Sequence, residues 1–139
     1  MTLSIEERDA IASFRLQRAH ETIVEAKGNI EMQYWHAAAN RLYYACYYAV
    51  LGLLIKNGYS SRTHSGTIGL FGIHFVKTGI VSREQNKFFR KLFDLRQGGD
   101  YDDWFYLDET DIKPLLEPAE KFIKEIEYLI NGYYLNRSL

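Results

Sequence analysis

The chain has a single cysteine, Cys46, and two prolines, Pro114 and Pro118, in 139 residues. One cysteine excludes an intrachain disulfide and a cysteine-built zinc site. Set inside an apolar run, it reads as a small buried hydrophobe rather than a catalytic thiol. Charge of one sign is lacking too. The net charge is −1, so no overall field recruits nucleic acid, although a local basic patch stays open. The uncharged run from Leu42 to Ile55 falls short of the roughly 20 apolar residues that cross a bilayer. The opening MTLSIEERDA lacks the charged-then-apolar layout of a signal peptide, which makes a cytoplasmic protein the expectation. A glycine-rich phosphate loop, a Ser–His–Asp set and a dinucleotide fingerprint are missing. His20, His36, His64 and His74 are scattered without i,i+4 pairing, so no metal site and no cofactor are expected. Repeats, low-complexity tracts and strand signals are absent as well.

Aromatic side chains are plentiful at 15%, including 11 Tyr. Tyrosine-rich helices suit interfaces, because the ring buries well and the hydroxyl finds a partner. The stretch from Trp35 to Ile55 organises the rest. Trp35, Ala38, Leu42, Cys46, Ala49 and Leu53 make one apolar stripe at helical spacing, and Ala37, Tyr44, Tyr48 and Ile55 a second. His36, Asn40, Tyr43, Tyr47 and Leu51 fill much of the remainder with apolar groups that carry polar tips. A helix apolar nearly all round lies at the centre of a core.

Around it the spacing predicts four further helical segments. Ser4 with Glu7 forms a capping box that starts a first helix, with Ala12, Leu16, Ala19, Ile23 and Ala26 facing inward and Gly28-Asn29 as its end. After the polar YSSRT, a short and irregular helix is expected over HSGTIGLFGIHFVKTG. Its Gly66, Gly69 and Gly72 would let it lie very close to a neighbour, each at a cost of about 1 kcal/mol relative to alanine. Ser82 with Gln85 starts the next, with Phe88, Phe89, Leu92, Phe93 and Leu95 inward and Gly98-Gly99 as its stop. The acidic, aromatic DYDDWFYLDE should pack on the surface and hold charge nearby. The last segment runs from about Asp108 to Asn131 on Ile112, Leu115, Ala119, Phe122, Ile126, Leu129 and Tyr133. Glu117 with Lys121 and Glu120 with Lys124 are i,i+4 pairs on its wet side. Pro114 and Pro118 either kink its first turns or delay its start. The expected fold is one all-α domain over residues 1–139, an antiparallel up-and-down bundle of four main helices plus a short one.

Two places could carry chemistry. In Arg96-Gln97-Gly98-Gly99-Asp100-Tyr101-Asp102-Asp103, Arg96 leans toward the core side of its helix. A guanidinium there can hold a phosphate by a two-pronged contact. It can equally cap its helix and pair with Asp100, Asp102 or Asp103. The second place is Asn40-Arg41 with Tyr44. Arg41 is the lone charge of an apolar helix and needs a partner. Either an acidic residue such as Asp102 or Asp103 ties the loop to the core through it, or it is a second phosphate-binding arginine in the same cleft.

The segments AANRLYYACYYAV, THSGTIGLFGIHFVKTG, LFDLRQGGDYDDW and AEKFIKEIEYL, in that order, resemble the HEPN superfamily, and within it the small stand-alone prokaryotic members. The resemblance spans most of the chain. It implies a helical bundle pairing as a homodimer with a cleft between subunits. It also implies a metal-independent ribonuclease activity, often as the toxin of a toxin–antitoxin pair with a small nucleotidyltransferase partner. The family's motif is an Arg, then four to six residues, then a His. The Arg would stabilise the phosphate as the RNA 2′-hydroxyl attacks it, and the His would be the acid–base. Arg96 matches the Arg, but Tyr101 stands where the His belongs, and a phenol with a pKa near 10 is a poor base at neutral pH. Three expectations follow from the resemblance. Tyr101 keeps an altered activity with Arg96, or the site only binds nucleotide, RNA or the nucleotidyltransferase, or Tyr101 is adenylylated with Asp100, Asp102 and Asp103 orienting the donor. His64 lies inside a resembling segment and is the histidine to test as a substitute acid–base. His74 reads as packed, His20 and His36 as ordinary helix positions.

Overall fold

A computed structural model describes residues 2–101 and 106–132, the side chains of residues 99–101 excepted. Four long helices, α1 (Ile5–Glu31), α2 (Trp35–Lys56), α4 (Arg83–Tyr101) and α6 (Leu116–Ile130), are joined by the short α3 (His64–Phe71) and a single turn, α5 (Glu109–Ile112). Among the described residues there is no strand, and no helix is long and apolar enough to cross a membrane.

Helix α2 touches each of the other five, as expected of a segment with so few charges. Its first stripe is sealed from Ala38 to Leu53, with Trp35 at its start partly covered. The second stripe, with Tyr44, Tyr48 and Ile55, is only partly covered. Ion pairs give the directions. Asp9 meets Lys56 at 2.8 Å and Glu25 meets Arg41 at 3.4 Å, so α1 runs antiparallel to α2. His20 meets Glu127 and Lys27 meets Glu120, both at 2.9 Å, so α1 is antiparallel to α6 as well. Glu120 thus reaches across to α1, where the sequence pattern paired it with Lys124. Gln85 donates to Glu125 at 2.7 Å and Phe89 stacks on Phe122, so α4 opposes α6. The up-and-down alternation is complete, with α3 in the connection between α2 and α4.

The core is held by a column of rings drawn from three helices. Tyr43 of α2 stacks on Phe89 of α4 (centroids 5.9 Å, planes 15° apart), and Phe89 stacks on Phe122 of α6 (5.5 Å, 17°). Phe71 of α3 meets Phe89 edge-on at 5.7 Å. All four rings are sealed from solvent. Burying each contributes on the order of 2–3 kcal/mol from apolar surface, with about 0.5–1.5 kcal/mol more per well-placed aromatic pair.

Several element ends differ from expectation. The Ser4–Glu7 box forms as predicted, but α1 passes Gly28 and runs to Glu31, because one more turn buries Ile30. The left-handed residue beyond it is Gln33, with φ 61°. Helix α4 likewise continues through Gly98-Gly99 to Tyr101. Glycine permits a helix to end without compelling it to. Of the second capping box only half is as drawn: Ser82 accepts from the Gln85 backbone N–H at 3.1 Å, while the Gln85 amide reaches Glu125.

The irregularity expected after His64 is a π turn over Gly72–Val76, with the Lys77 N–H bonded to the Gly72 carbonyl at 2.8 Å, and Gly79 turns the chain out at φ 83°. The close approach assigned to its glycines is not there. A Cβ at Gly69 or Gly72 would meet nothing within 4 Å, and one at Gly66 would meet its own cap, Ser61 and Thr63. The intimate contact is at Gly52 of α2, where a Cβ would lie 3.2 Å from the Ala12 carbonyl oxygen. In the last segment both proline readings hold. Pro114 sits in a 3₁₀ turn (Lys113–Leu115), and Pro118 falls in the first turn of α6, where its missing N–H costs nothing. Asp108 caps α5, Leu107 is buried, and Tyr133 lies outside the described residues.

Candidate functional site

The polar edge of α2 is set by helical spacing: Asn40, Tyr43, Tyr44 and Tyr47 recur at three and four. His64 opens α3 directly after its N-cap Thr63, whose hydroxyl accepts from the Gly66 N–H at 2.9 Å. That cap fixes where the helix begins and so where the imidazole stands. Arg96 lies on α4 one turn beyond Phe93. The three helices bring these residues into one cluster.

His64 Nδ1 and the Tyr43 hydroxyl share a hydrogen bond of 2.7 Å. The imidazole also stacks on Tyr47, centroids 4.5 Å apart and planes 24° apart. Arg96 is buried, 7% exposed. Its guanidinium carbon lies 5.3 Å from the centre of the Tyr43 ring, 5.5 Å from that of Tyr44 and 5.8 Å from that of Phe93. Three ring faces turn their electron-rich sides to one cation, which supports a charge where water is scarce. Arg41 takes the Tyr44 ring from another approach, at 5.2 Å. It also donates to the Asn40 side-chain oxygen at 2.7 and 3.0 Å. Arg41, bonded to Asn40, and with it His64 and Arg96 therefore converge on two neighbouring tyrosines.

Burial, and after it the positive charge of Arg96, hold the His64 pKa below its ordinary value. Both causes disfavour a second cation beside the first. The imidazole is thus kept neutral at physiological pH, the form that can accept a proton. Burial pushes the Tyr43 phenol up, far from ionising, so it stays an O–H beside the imidazole. Burial likewise pushes the Cys46 thiol up, consistent with a packing role.

Among the described residues, Arg41 meets an acid in Glu25 of α1, at 3.4 Å. Asp102 and Asp103 lie outside the described residues, and so do the side chains of Asp100 and Tyr101. The backbone at Tyr101 is helical. Positions 96 and 101 are therefore about 140° apart around α4 and about 7.5 Å apart along it, on one helix that the stop expected at Gly98-Gly99 does not interrupt. His74 stacks on Tyr59 at 3.9 Å, packed as expected, and His20 and His36 are exposed helix residues. Among the described residues, no group of three His, Cys, Asp or Glu side chains is placed to hold a metal. Sequence reasoning missed Tyr43 and Phe93 as parts of the site. Their signal was the three-and-four spacing that puts Tyr43 beside Asn40, and Phe93 one turn before Arg96.

The family model for the HEPN domain matches residues 12–129. A UPF0332 protein of Thermotoga maritima is 37% identical over 126 residues, covering 91% of this chain and 96% of that one. A Methanocaldococcus jannaschii protein named "Putative toxin MJ0605" is 29% identical, covering 84% and 81%. The crystal structure of TT1696 from Thermus thermophilus shares the fold, with a TM-score of 0.71 at 18% identity over 84% of this chain and 95% of that one.

Proposed function

We propose, for a chain that belongs to the HEPN domain family, a toxin-type, metal-independent RNA-cleaving activity in which His64 supplies the acid–base function that Tyr101 cannot. The observation that carries this reading is a neutral, partly exposed imidazole, hydrogen-bonded to Tyr43 and in the same aromatic cluster as Arg96. The RNA 2′-hydroxyl would give its proton to His64 as its oxygen bonds to the adjacent phosphorus. The bond from phosphorus to the 5′-oxygen breaks, and the proton held by His64 can pass to that departing oxygen. A 2′,3′-cyclic phosphate and a 5′-hydroxyl result. Arg96 would offset the charge that builds on the phosphate oxygens, and Arg41 would supply a second cation nearby. A homodimer would bring two such clusters to one cleft. A small nucleotidyltransferase would be the natural partner, with Tyr101 as the phenol it modifies and Asp100, Asp102 and Asp103 orienting the donor.

A second reading follows from the depth of Arg96. A guanidinium 7% exposed and caged by three rings braces a bundle well, and a HEPN module of that kind would bind RNA, nucleotide or a nucleotidyltransferase without cutting. One experiment separates the two. Purified protein is incubated with a mixed tRNA and mRNA pool in EDTA, beside Arg96→Ala, His64→Ala and Tyr101→Phe. Cutting that survives Tyr101→Phe and is lost in the other two supports His64. Cutting lost in Tyr101→Phe but kept in His64→Ala transfers the role to the phenol. No cutting by a folded wild type leaves the binding module.

A further inference from the structure

The net charge of −1 conceals a strong local bias. Five cations, Lys77, Arg83, Lys87, Arg90 and Lys91, stand exposed on α4 and at the end of the π turn that faces it. Among the described residues none of the five is in an ion pair, unlike the half-buried Lys27 and Lys56 and the exposed Lys113. The acids beside them are Glu84 and Asp94. Between α3 and α4 runs an open groove of about 500 Å³. Lys77 and Arg90 stand on its two sides, Ile68 and Phe93 give it apolar wall, and Asp94 is its one acid. Asn86 lines it too, with its side-chain oxygen buried and without a hydrogen-bond partner. Gly69 and Gly72 leave its floor bare.

One end of this groove meets the cluster already described. Ser65 is next to His64 in the chain, and the Phe93 ring lies 6.3 Å from the His64 ring and 5.8 Å from the Arg96 guanidinium. The grooves along α6 have no such bias: Glu117, Glu120 and Glu125 are interleaved there with Lys121 and Lys124.

We propose that the groove between α3 and α4 is a binding track for the phosphate backbone of single-stranded RNA, with Lys77 and Arg90 gripping phosphates from its two sides and Phe93 offering a face on which a base stacks. Cations on a track with an aromatic face are how single strands are held without regard to sequence. Arg83, Lys87 and Lys91 continue the positive surface along the far side of the Asn86–Arg90–Asp94 row. The track rests on the proposed function for its destination, because it delivers the strand to His64, but binding itself needs no cleavage.

The test uses the full chain and a short, fluorescent, fully 2′-O-methylated RNA, which has no attacking hydroxyl and stays intact. Anisotropy is read over a salt series for wild type, Lys77→Glu, Arg90→Glu, Gly69→Leu and, as control, Lys124→Glu on α6. The expected result is tighter binding at low salt, a loss of about tenfold or more for each charge reversal, and a salt slope shallower by about 0.7 for each phosphate no longer gripped. Gly69→Leu fills the floor where nothing lies within 4 Å, so it should weaken binding without lowering the melting temperature. Lys124→Glu should bind as wild type. The track is refuted if wild type does not bind the probe, or if the three groove variants bind as well as it does. If His64→Ala still cuts natural RNA while Arg90→Glu no longer binds the probe, the His64 reading falls and the track stands. Cutting lost in His64→Ala with the probe bound normally by every groove variant refutes the track alone.

Discussion

Replacing Tyr43 by phenylalanine removes one oxygen from the centre of the molecule and leaves everything else in place. The ring is fully buried against Tyr44, Tyr47, His64, Phe89 and Phe93, with centroids 5.3 to 5.9 Å away, and phenylalanine keeps those contacts. What goes is the 2.7 Å hydrogen bond to His64. A neutral hydrogen bond is worth about 0.5–1.5 kcal/mol net, and leaving a buried partner unsatisfied costs more. His64 is only partly buried, so its nitrogen can turn to water and the larger penalty does not apply. The expected loss is about 1 kcal/mol, a fall in Tm of about 4 °C for a chain of this size, read by urea denaturation with an unchanged m-value. The imidazole resonances of His64 should report the same change as a moved titration midpoint, and the pH profile of the proposed RNA cleavage should move with them. A loss above about 3 kcal/mol would mean that the ring has shifted and that the stacked column does not tolerate the change. A variant as stable as wild type, with an unmoved His64 midpoint, would show that the hydrogen bond does not form in solution and would remove the basis for a positioned imidazole.

Three other outcomes are expected. His64 titrates below its usual value of about 6.5 when folded, so the unfolded chain binds its proton first as pH falls. The contribution of His64 to stability is complete above about pH 6.5 and declines as pH drops through the folded midpoint. His64→Gln should flatten that part of the curve, and Arg96→Gln should raise the midpoint only partway, because burial is the larger cause. Gly69→Ala should stabilise the fold by about 0.5–1 kcal/mol through helix propensity, whereas Gly66→Ala should lose that gain, since the new methyl would lie 2.8 Å from the capping hydroxyl of Thr63; paired thermal melts decide. Phe89→Ala should cost about 3–5 kcal/mol, and denaturant unfolding showing less than about 1.5 kcal/mol would argue against a ring packed on both faces.

The bundle was legible because its stripes are long and regular. Helix α6, with the turn before it from Ile112 to Leu129, could be read residue by residue, and α2 stood out as the one long helix with almost no charge. Element ends were harder to place. Gly28 and Gly98-Gly99 look like stops, yet tertiary burial carried α1 onward to cover Ile30, and α4 also ran past its pair of glycines. The candidate site was half legible. Arg96, Arg41, Asn40 and His64 could be singled out from their neighbours in the chain, but their meeting could not. It depends on α3 folding back so that His64 reaches Tyr43, a contact no local pattern encodes. The contact of Arg41 with Glu25 escaped for the same reason, because Glu25 lies across a helix hairpin.

The column of Tyr43, Phe89 and Phe122 has a consequence in time. Its rings come from three helices far apart in the chain, and the column is not complete until the last, Phe122, has been made. A polypeptide still emerging from the ribosome has α2 and α3 in hand, yet Tyr43 has no finished stack beneath it until Phe122 has cleared the exit tunnel. A cluster built on that ring is therefore assembled late. Under the RNA-cleaving function proposed above, this order of events would keep the unfinished chain harmless to the message and the ribosome that are making it.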